Sequence, residues 1–574
     1  MFNPTLHCIE WRNELLSDVS REDAAELRQR LDELDQSEGY VAANTWLRSV
    51  IERLQLLNRV SIMRPAVEKE ADRLAEQMGQ NAALEWLRGV VQRLRYIDRL
   101  ITDLNGEELA KWAEEKSRRF EVDLTREAME SGAAYARRYM AESLLVAGVT
   151  FTDWEDGDKV AAMAARMILP EWWIRNAKKQ FRIVENVLRE CGQVCKQGSP
   201  YVSSWSLNKF RKQQQSNRSF LESWEAVNQY NQSFTLAELS DRGVSNPVNR
   251  RNELMTRIRG TEELATELNH DGLFITLTCP SKYHAVKING KRNKKFDRAN
   301  RPTVRDGQKY LCDTWARIRA FLKRNGLPVY GIRTVEPNHD GCPHWHMMLF
   351  CDKQHTKAVI DAFTLYGLME DGNELGAKKQ RVKVVRIDPA KGTASGYVAK
   401  YISKNIDGKH IDTDLETGKS GTEAAERITA WSRRHGIRQF QFFGGVSVTV
   451  WRELRRFSVE NAPALCTDIY HAANRGDWMA FTKLMGGVFA GRNQTLKPHY
   501  SEPEENQFGE MVTSIMGVAR GLEVAVTRLY EWTVQKVGAQ VLEDDEVVPW
   551  TRVNNCTGGE AAQLFDRREG YLWQ

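Results

Sequence analysis

The segment Glu336-Pro-Asn-His-Asp-Gly-Cys-Pro-His-Trp-His346 places metal-ligand side chains at strand spacing. Tyr330 to Glu336 is a short, partly β-branched run, and His344 to Phe350 is an apolar run of strand length. The turn-forming loop Pro337 to Pro343 lies between them, so the segment reads as a β-hairpin. Side chains alternate faces along a strand, so His344 and His346 share a face and Trp345 points the other way. A hairpin sets Glu336 opposite His344. Two imidazoles and a carboxylate then converge, leaving coordination positions open for a substrate. Downstream, Tyr397 and Tyr401 are spaced i, i+4 in Gly396-Tyr-Val-Ala-Lys-Tyr-Ile-Ser-Lys404, which on a helix puts both phenols on one face. Lys400 and Lys404 repeat that spacing. Two phenols flanked by two ammonium groups suit a nucleophile pair with cations that bind phosphate and favour phenolate. Either pattern alone is common, as a core helix face or a surface His pair. Both in one chain, with a carboxylate placed as third ligand, point to chemistry.

A competing zinc set of the form Cys342-x-His344-x-His346-x4-Cys351 fails on alternation, which puts Cys351 on the face opposite the histidines. His339 reads as a turn residue. The nine cysteines form no paired framework, and the spacing of Cys191 and Cys195 fits a metal knuckle poorly, so reduced thiols are expected. The amino terminus lacks a cleavable-leader pattern, and no run reaches the roughly 18 apolar residues that span a membrane. A soluble, intracellular protein with no membrane partner is expected.

At 574 residues the chain should hold several domains. Ala42 to Val60 and Ala82 to Leu100 are a duplication with a forty-residue period, each copy preceded by a glycine, Gly39 or Gly79. Residues 1–110 therefore read as two helical hairpins in a small bundle, because solenoids usually need three or more repeats. Residues 111–260 read as a helical and basic linking region. Residues 261–457 alternate strands with helices near Gln308 to Asn325, Thr356 to Tyr366 and Thr393 to Asn405, an α+β domain carrying both motifs. From 458 to 574 a return to helices through about Gln540 is expected, followed by an acidic tail from Glu543 to Glu546. Gly418-Lys-Ser420 ends like a phosphate-binding P-loop, but position 413 is Thr and no apolar strand precedes it, so it reads as an exposed turn. With no ATPase module visible, strand separation would fall to another protein. Gly444-Gly445 and the following VSVTVW read as a turn and a strand.

The net charge of +5 says little, but its distribution says more. Lys282 to Arg333 holds fifteen Lys or Arg against three Asp, and Lys378 to Lys404 holds eight against Asp388 alone. Both stretches border the motifs, as a phosphate-binding groove requires. Nucleic acid is the expected partner.

The blocks FITLTCP (Phe274 to Pro280), PHWHMMLF (Pro343 to Phe350) and YVAKYISK (Tyr397 to Lys404) resemble, in order, the three motifs of HUH endonucleases, which initiate rolling-circle replication. NPVNRRNELMTRIRG (Asn246 to Gly260) and RQFQFFGGVSVTVWRELRR (Arg438 to Arg456) narrow the resemblance to the replication gene A proteins of tailed temperate bacteriophages. The resemblance covers roughly residues 165 to 456. It implies a central HUH nickase domain with a ferredoxin-like antiparallel sheet, flanked by helical N- and C-terminal regions. It also implies Mg²⁺ or Mn²⁺ on Glu336, His344 and His346, and single-stranded DNA at a replication origin as substrate. Tyr397 and Tyr401 would be the nucleophiles, Lys400 the lysine that favours phenolate, and Lys404 a contact to backbone phosphate. A host helicase would be the partner and the bacterial host's cytoplasm the compartment. A two-tyrosine HUH transposase shares this chemistry, whereas a conjugative relaxase usually carries its tyrosine before the histidine motif. From another class, a zinc-dependent DNA-binding regulator without enzymatic activity is the alternative.

Overall fold

The computed structural model describes residues 6–538, apart from 18, 61–62, 96, 98, 105, 389, 391, 410 and 458–463. The acidic segment Glu543 to Glu546 lies outside the described residues. The chain divides into two compact units, one of residues 1–103 and 179–193, the other of residues 104–178 and 194–574.

In the first unit, helices Arg21–Ser37 and Tyr40–Asn58 form one hairpin, and Arg64–Met78 and Gln80–Leu94 form the next. The sequence duplication falls on the second helix of each. Leu47 and Leu87, equivalent by the repeat, are both fully buried. Gly39 and Gly79 take φ of +86° and +90° at the chain reversals, a region open to glycine without steric penalty. The equivalent arginines also match in role, Arg53 pairing with Asp72 and Arg93 with Glu190.

The second unit is built on a sheet. Strands β1 (Trp224–Asn228) and β2 (Ser233–Thr235) belong to a small sheet described below. The main sheet holds β3 (His270–Thr278), β4 (Tyr330–Pro337), β5 (Pro343–Asp352), β6 (Val382–Arg386) and β7 (Phe440–Phe443). Its order is β6-β3-β5-β4-β7, and every pair is antiparallel. Central strand β5 is buried along nearly its whole length because helices cover both faces. On one face Leu277, Val335, Trp345, Met347 and Leu349 pack with helices Val304–Arg324 and Thr356–Gly367. On the other, Phe274, Ile332 and Met348 pack with helices Pro247–Glu267 and Ala394–Ile406, the second carrying both tyrosines. Thr303 and Asp306 close a reciprocal capping box on helix Val304–Arg324. The tyrosine helix starts at Thr393, whose hydroxyl accepts from the Gly396 N–H.

The expectation of helices through about Gln540 is overturned. After Thr467–Asn474 and Trp478–Leu484 come strands β8 (Lys497–Tyr500), β9 (Glu504–Glu505), β10 (Met511–Val512), β11 (Ile515–Arg520), β12 (Glu523–Val526) and β13 (Trp532–Lys536). The C-terminal region is therefore mixed rather than helical. The local cause is hairpin chemistry: Arg520 pairs with Glu523 across the two-residue turn Gly521-Leu522, where Gly521 has φ +61°. The most distant pairing joins β13 to β1 in the small three-stranded sheet with β2. The strand expected after Gly445 is likewise replaced by helix Val448–Leu454. Its alternating valines mislead, because Val450, Trp451 and Leu454 fall on one helical stripe that enters the core.

At Gly331 of β4 a Cβ would stand 2.0 Å from the Met348 carbonyl oxygen of β5, at φ +153°. Gly331→Ala should therefore destabilise the second unit by about 3 kcal/mol, against about 1 kcal/mol for Gly326→Ala, which has open space at φ +65°. Urea unfolding midpoints compare the two variants, and equal shifts would contradict the close approach.

Candidate metal and nucleophile site

The hairpin register is as the sequence implies: Glu336 pairs with His344 across β4 and β5, and Thr276 of β3 lies opposite His346. Ligand atoms of Glu336, His344 and His346 all lie within 4.8 Å of one another. The two Nε2 atoms are 2.9 Å apart, and His346 Nε2 is 3.9 Å from Glu336 Oε2. Adjacent ligands at ~2.1 Å from one octahedral ion stand about 3 Å apart, so the imidazole pair has a spacing one cation would require. The donor chemistry fits too. Burial, then the Lys404 charge, brings the His344 pKa down to about 3, and burial with His344 holds His346 well below its ordinary value. Both rings are thus neutral near pH 7, the form in which an imidazole can donate to a cation. Thr276 Oγ1 lies 3.0 Å from His346 Nδ1 and fixes that ring's orientation. His344 Nδ1 is buried without a hydrogen-bond partner. Burial pushes Glu336 up to about 7, against the opposing pull of Lys404 and Asn405.

The tyrosine helix lies directly on this cluster. The Tyr401 ring sits 4.1 Å from the His346 ring and 5.1 Å from Phe274, centroid to centroid. Burial and the neighbouring Glu336 raise the Tyr401 pKa, and Lys404 opposes them. Tyr397 is one turn toward the helix N-terminus and exposed, so the structure brings only the second tyrosine against the histidines.

The two lysines differ in placement. Lys400 is exposed and lines a cavity of about 140 Å³ with Tyr401, Lys404, Asp414 and Glu416. Lys404 instead turns inward, its ammonium 3.7 Å from Glu336, 3.2 Å from Asp414 and 3.5 Å from Glu416. Burial works against that charge, but Glu336, Glu416 and Asp414 together raise its pKa above the ordinary lysine value. Proximity to the phenol thus belongs to Lys404, and an exposed position suited to phosphate to Lys400.

Other groups at the site were not singled out from sequence. Asn405 donates from Nδ2 to Glu336 Oε1 at 2.5 Å, and Gln439 Nε2 donates to Asn405 Oδ1 at 3.3 Å. Asn405 follows Tyr401 by one helical turn, a spacing that could have revealed it. Asp414 and Glu416 lie in the turn that ends in Gly418-Lys-Ser420, and Tyr201 donates to Asp414 Oδ2 at 2.6 Å. Nothing local links Tyr201 to the site, since more than two hundred residues separate them. His339 stays outside the ligand set, with Nε2 3.2 Å from the Val286 carbonyl oxygen. Cys351 packs into the opposite face, as alternation requires. Among the described residues, no further group of three such ligands converges.

The basic stretches are less bare than they read. Lys282 pairs with Glu370 and Asp371, and Lys295 with Glu374, while Lys291 and Lys294 are exposed. No helix among the described residues is long and apolar enough to cross a membrane.

No solved structure matches the chain. The replication gene A protein of Escherichia phage 186 is 40% identical over 427 residues, covering 70% of this chain and 61% of that protein. The replication protein of Haemophilus phage HP1 is 34% identical over 452 residues, covering 73% and 57%. A probable replication endonuclease from a prophage-like region of Salmonella paratyphi A is 33% identical over 418 residues, covering 68% and 52%. The chain thus matches between about half and three fifths of these relatives' length. The sequence profile described as bacteriophage replication gene A protein matches residues 116–409, which span both motifs and all three metal-ligand candidates, and the chain belongs to that family.

Proposed function

We propose that this chain is a phage replication initiator that nicks one DNA strand at an origin and keeps the 5′ end as a phosphotyrosine ester within an HUH-type, ferredoxin-like domain. The observation that carries the reading is the Tyr401 ring packed 4.1 Å from the His346 ring beside two further ligand candidates. Glu336, His344 and His346 would hold one divalent ion, Mg²⁺ or Mn²⁺, which when bound supplies positive charge to a non-bridging phosphate oxygen.

Within the chain's own residues the logic is one of charge. Tyr401 is held protonated by burial and by Glu336, with Lys404 as the opposing cation. As the phenolic oxygen bonds to phosphorus it gives up its proton to solvent. The bond to the 3′-oxygen breaks, and that oxygen leaves as a hydroxyl after taking up a proton. The ester retains the energy of the broken bond, so rejoining needs no nucleotide cofactor. Lys400 in the cavity would bind the phosphate backbone. Tyr397, exposed one turn away on the same helix, would serve as second acceptor, cleaving a regenerated origin while Tyr401 remains esterified. The relatives named as replication proteins and a replication endonuclease support this reading, as do the basic stretches. Single-stranded DNA would be the substrate, with a host helicase opening the duplex in the host cytoplasm.

His344→Ala and His346→Ala should abolish nicking of a labelled single strand and leave its affinity within about twofold, because affinity comes from phosphate contacts elsewhere. Nicking by the double variant in chelator-treated buffer would contradict the ligand assignment.

The two tyrosines should separate in single-turnover assays. Tyr401→Phe should slow covalent adduct formation by at least about 1000-fold. Tyr397→Phe should still form the first adduct but fail to release closed circles. Adduct on Tyr397 with wild-type rate in Tyr401→Phe would reverse the order.

Glu336 also sets a pH dependence. Its folded pKa of about 7 lies above the value of an exposed glutamate, so in metal-free protein its contribution to stability is full at low pH and lost as pH rises through about 7. A bound cation offsets that loss. The rise in unfolding temperature on adding Mn²⁺ should therefore grow between pH ~6 and pH ~8, and Glu336→Gln should flatten the trend. A Mn²⁺ effect that stays constant over this range in the wild type would remove Glu336 from the ligand set.

A further inference from the structure

The two family-like blocks Asn246 to Gly260 and Arg438 to Arg456 come together at the β7 edge of the main sheet. The Arg250 guanidinium lies over the Phe440 ring at 5.4 Å, and Arg438 Nε donates to the Phe440 carbonyl oxygen at 3.2 Å. Arg257 lies over Phe442 at 3.7 Å and over Trp478 at 4.8 Å. Among the described residues, the single carboxylate bonded to these arginines is Glu253, 2.7 Å from Arg452 and 3.8 Å from Arg257. Asp407, at the C-terminal end of the tyrosine helix, is taken by Arg251. Among the described residues, Arg250 and Arg438 have no carboxylate partner. Arg257 is only 7% exposed, and its buried Nε has no hydrogen-bond partner. Burial and the nearby Arg433, Arg438 and Arg452 all depress the Arg250 pKa, so the charges repel one another in the free protein.

Half-buried like charges with one shared counter-ion are unfavourable unless an anion relieves them. The edge also faces the right way. Thr276, His346, Thr334 and Phe440 are successive partners across β3, β5, β4 and β7. Phe440 is thus two strands from His346, about 10 Å at ordinary strand spacing. We infer that Arg250 and Arg438, backed by Arg257 and Arg452, form a second phosphate-binding site that holds the backbone of single-stranded DNA flanking the scissile phosphate. Phe440 and Phe442 stack the guanidiniums and fix their planes, which suits paired contacts to phosphate oxygens. This inference rests on the reading that the chain cleaves single-stranded DNA.

Equilibrium binding of a labelled single-stranded oligonucleotide as a function of salt tests it. Arg250→Gln with Arg438→Gln should lower the slope of log K against log salt by about 1.4, two contacts at about 0.7 each. With equal affinities at ~1 M salt, that is about 25-fold weaker binding at ~0.1 M. Exposed Arg438→Gln alone, which does not disturb the core, should lower the slope by about 0.7, and Arg438→Lys should restore it. An unchanged slope for Arg438→Gln, with the wild type retaining a steep one, overturns this site and leaves the nicking reading intact. This holds even if the variant loses an acidic protein partner. A wild type without salt-dependent binding to single strands overturns both.

Discussion

A buried carboxylate organises this site. Glu336 stands on a strand covered on both faces, and an uncompensated carboxylate there would be destabilising by several kcal/mol. Its compensation comes from one helix: Asn405 donates to it at 2.5 Å and the Lys404 ammonium lies at 3.7 Å. Tyr401 is on that same helix. Slippage by one residue would move the helix about 1.5 Å and turn it about 100°, withdrawing both partners from the carboxylate. The position of the phenol against His346 is therefore fixed by the demand of Glu336 for a hydrogen bond and a cation. Gln439, just before β7, holds Asn405 in turn and ties the sheet edge to the same lock.

Charge at the site is arranged with similar economy. The imidazoles are neutral, Tyr401 is protonated, and among the described residues Lys404 is the cation paired with Glu336, Asp414 and Glu416. Three carboxylates against one ammonium leave a formal deficit of two positive charges when all are ionised. Burial relieves part of it by pushing Glu336 up to about 7. A divalent cation at the ligand set would balance the remainder and, with Lys404, reverse the field that keeps the phenol protonated.

Much of this was legible because it is local. Strand alternation put His344 and His346 on one face, turn chemistry set the hairpin, and helical spacing grouped Tyr397 with Tyr401. The forty-residue repeat likewise announced its helical hairpins. What escaped is non-local or ambiguous. No periodicity links Tyr201 to Asp414 or β1 to β13, which meet only through the fold. The sequence 411–420 reads as a turn, which it is, but its value lies in delivering Asp414 and Glu416 to Lys404. The helices expected beyond Leu484 failed because short β-branched runs and a Gly-containing two-residue turn carried more weight than the preceding helical pattern. Which lysine turns inward was not legible either, because sequence adjacency to a phenol does not set the direction of a side chain.

The β7 edge extends the same lock outward. Arg438 immediately precedes Gln439, which holds Asn405, and Arg250 immediately precedes Arg251, which pairs with Asp407 at the end of the tyrosine helix. Each arginine of the proposed strand contact is therefore one peptide away from a residue that anchors the tyrosine helix. A strand seated on those guanidiniums would be registered against Tyr401 through short covalent segments and two polar anchors. That registration is what an in-line attack needs, because an error of about 1 Å at the reacting atoms is enough to lose about 100-fold in rate.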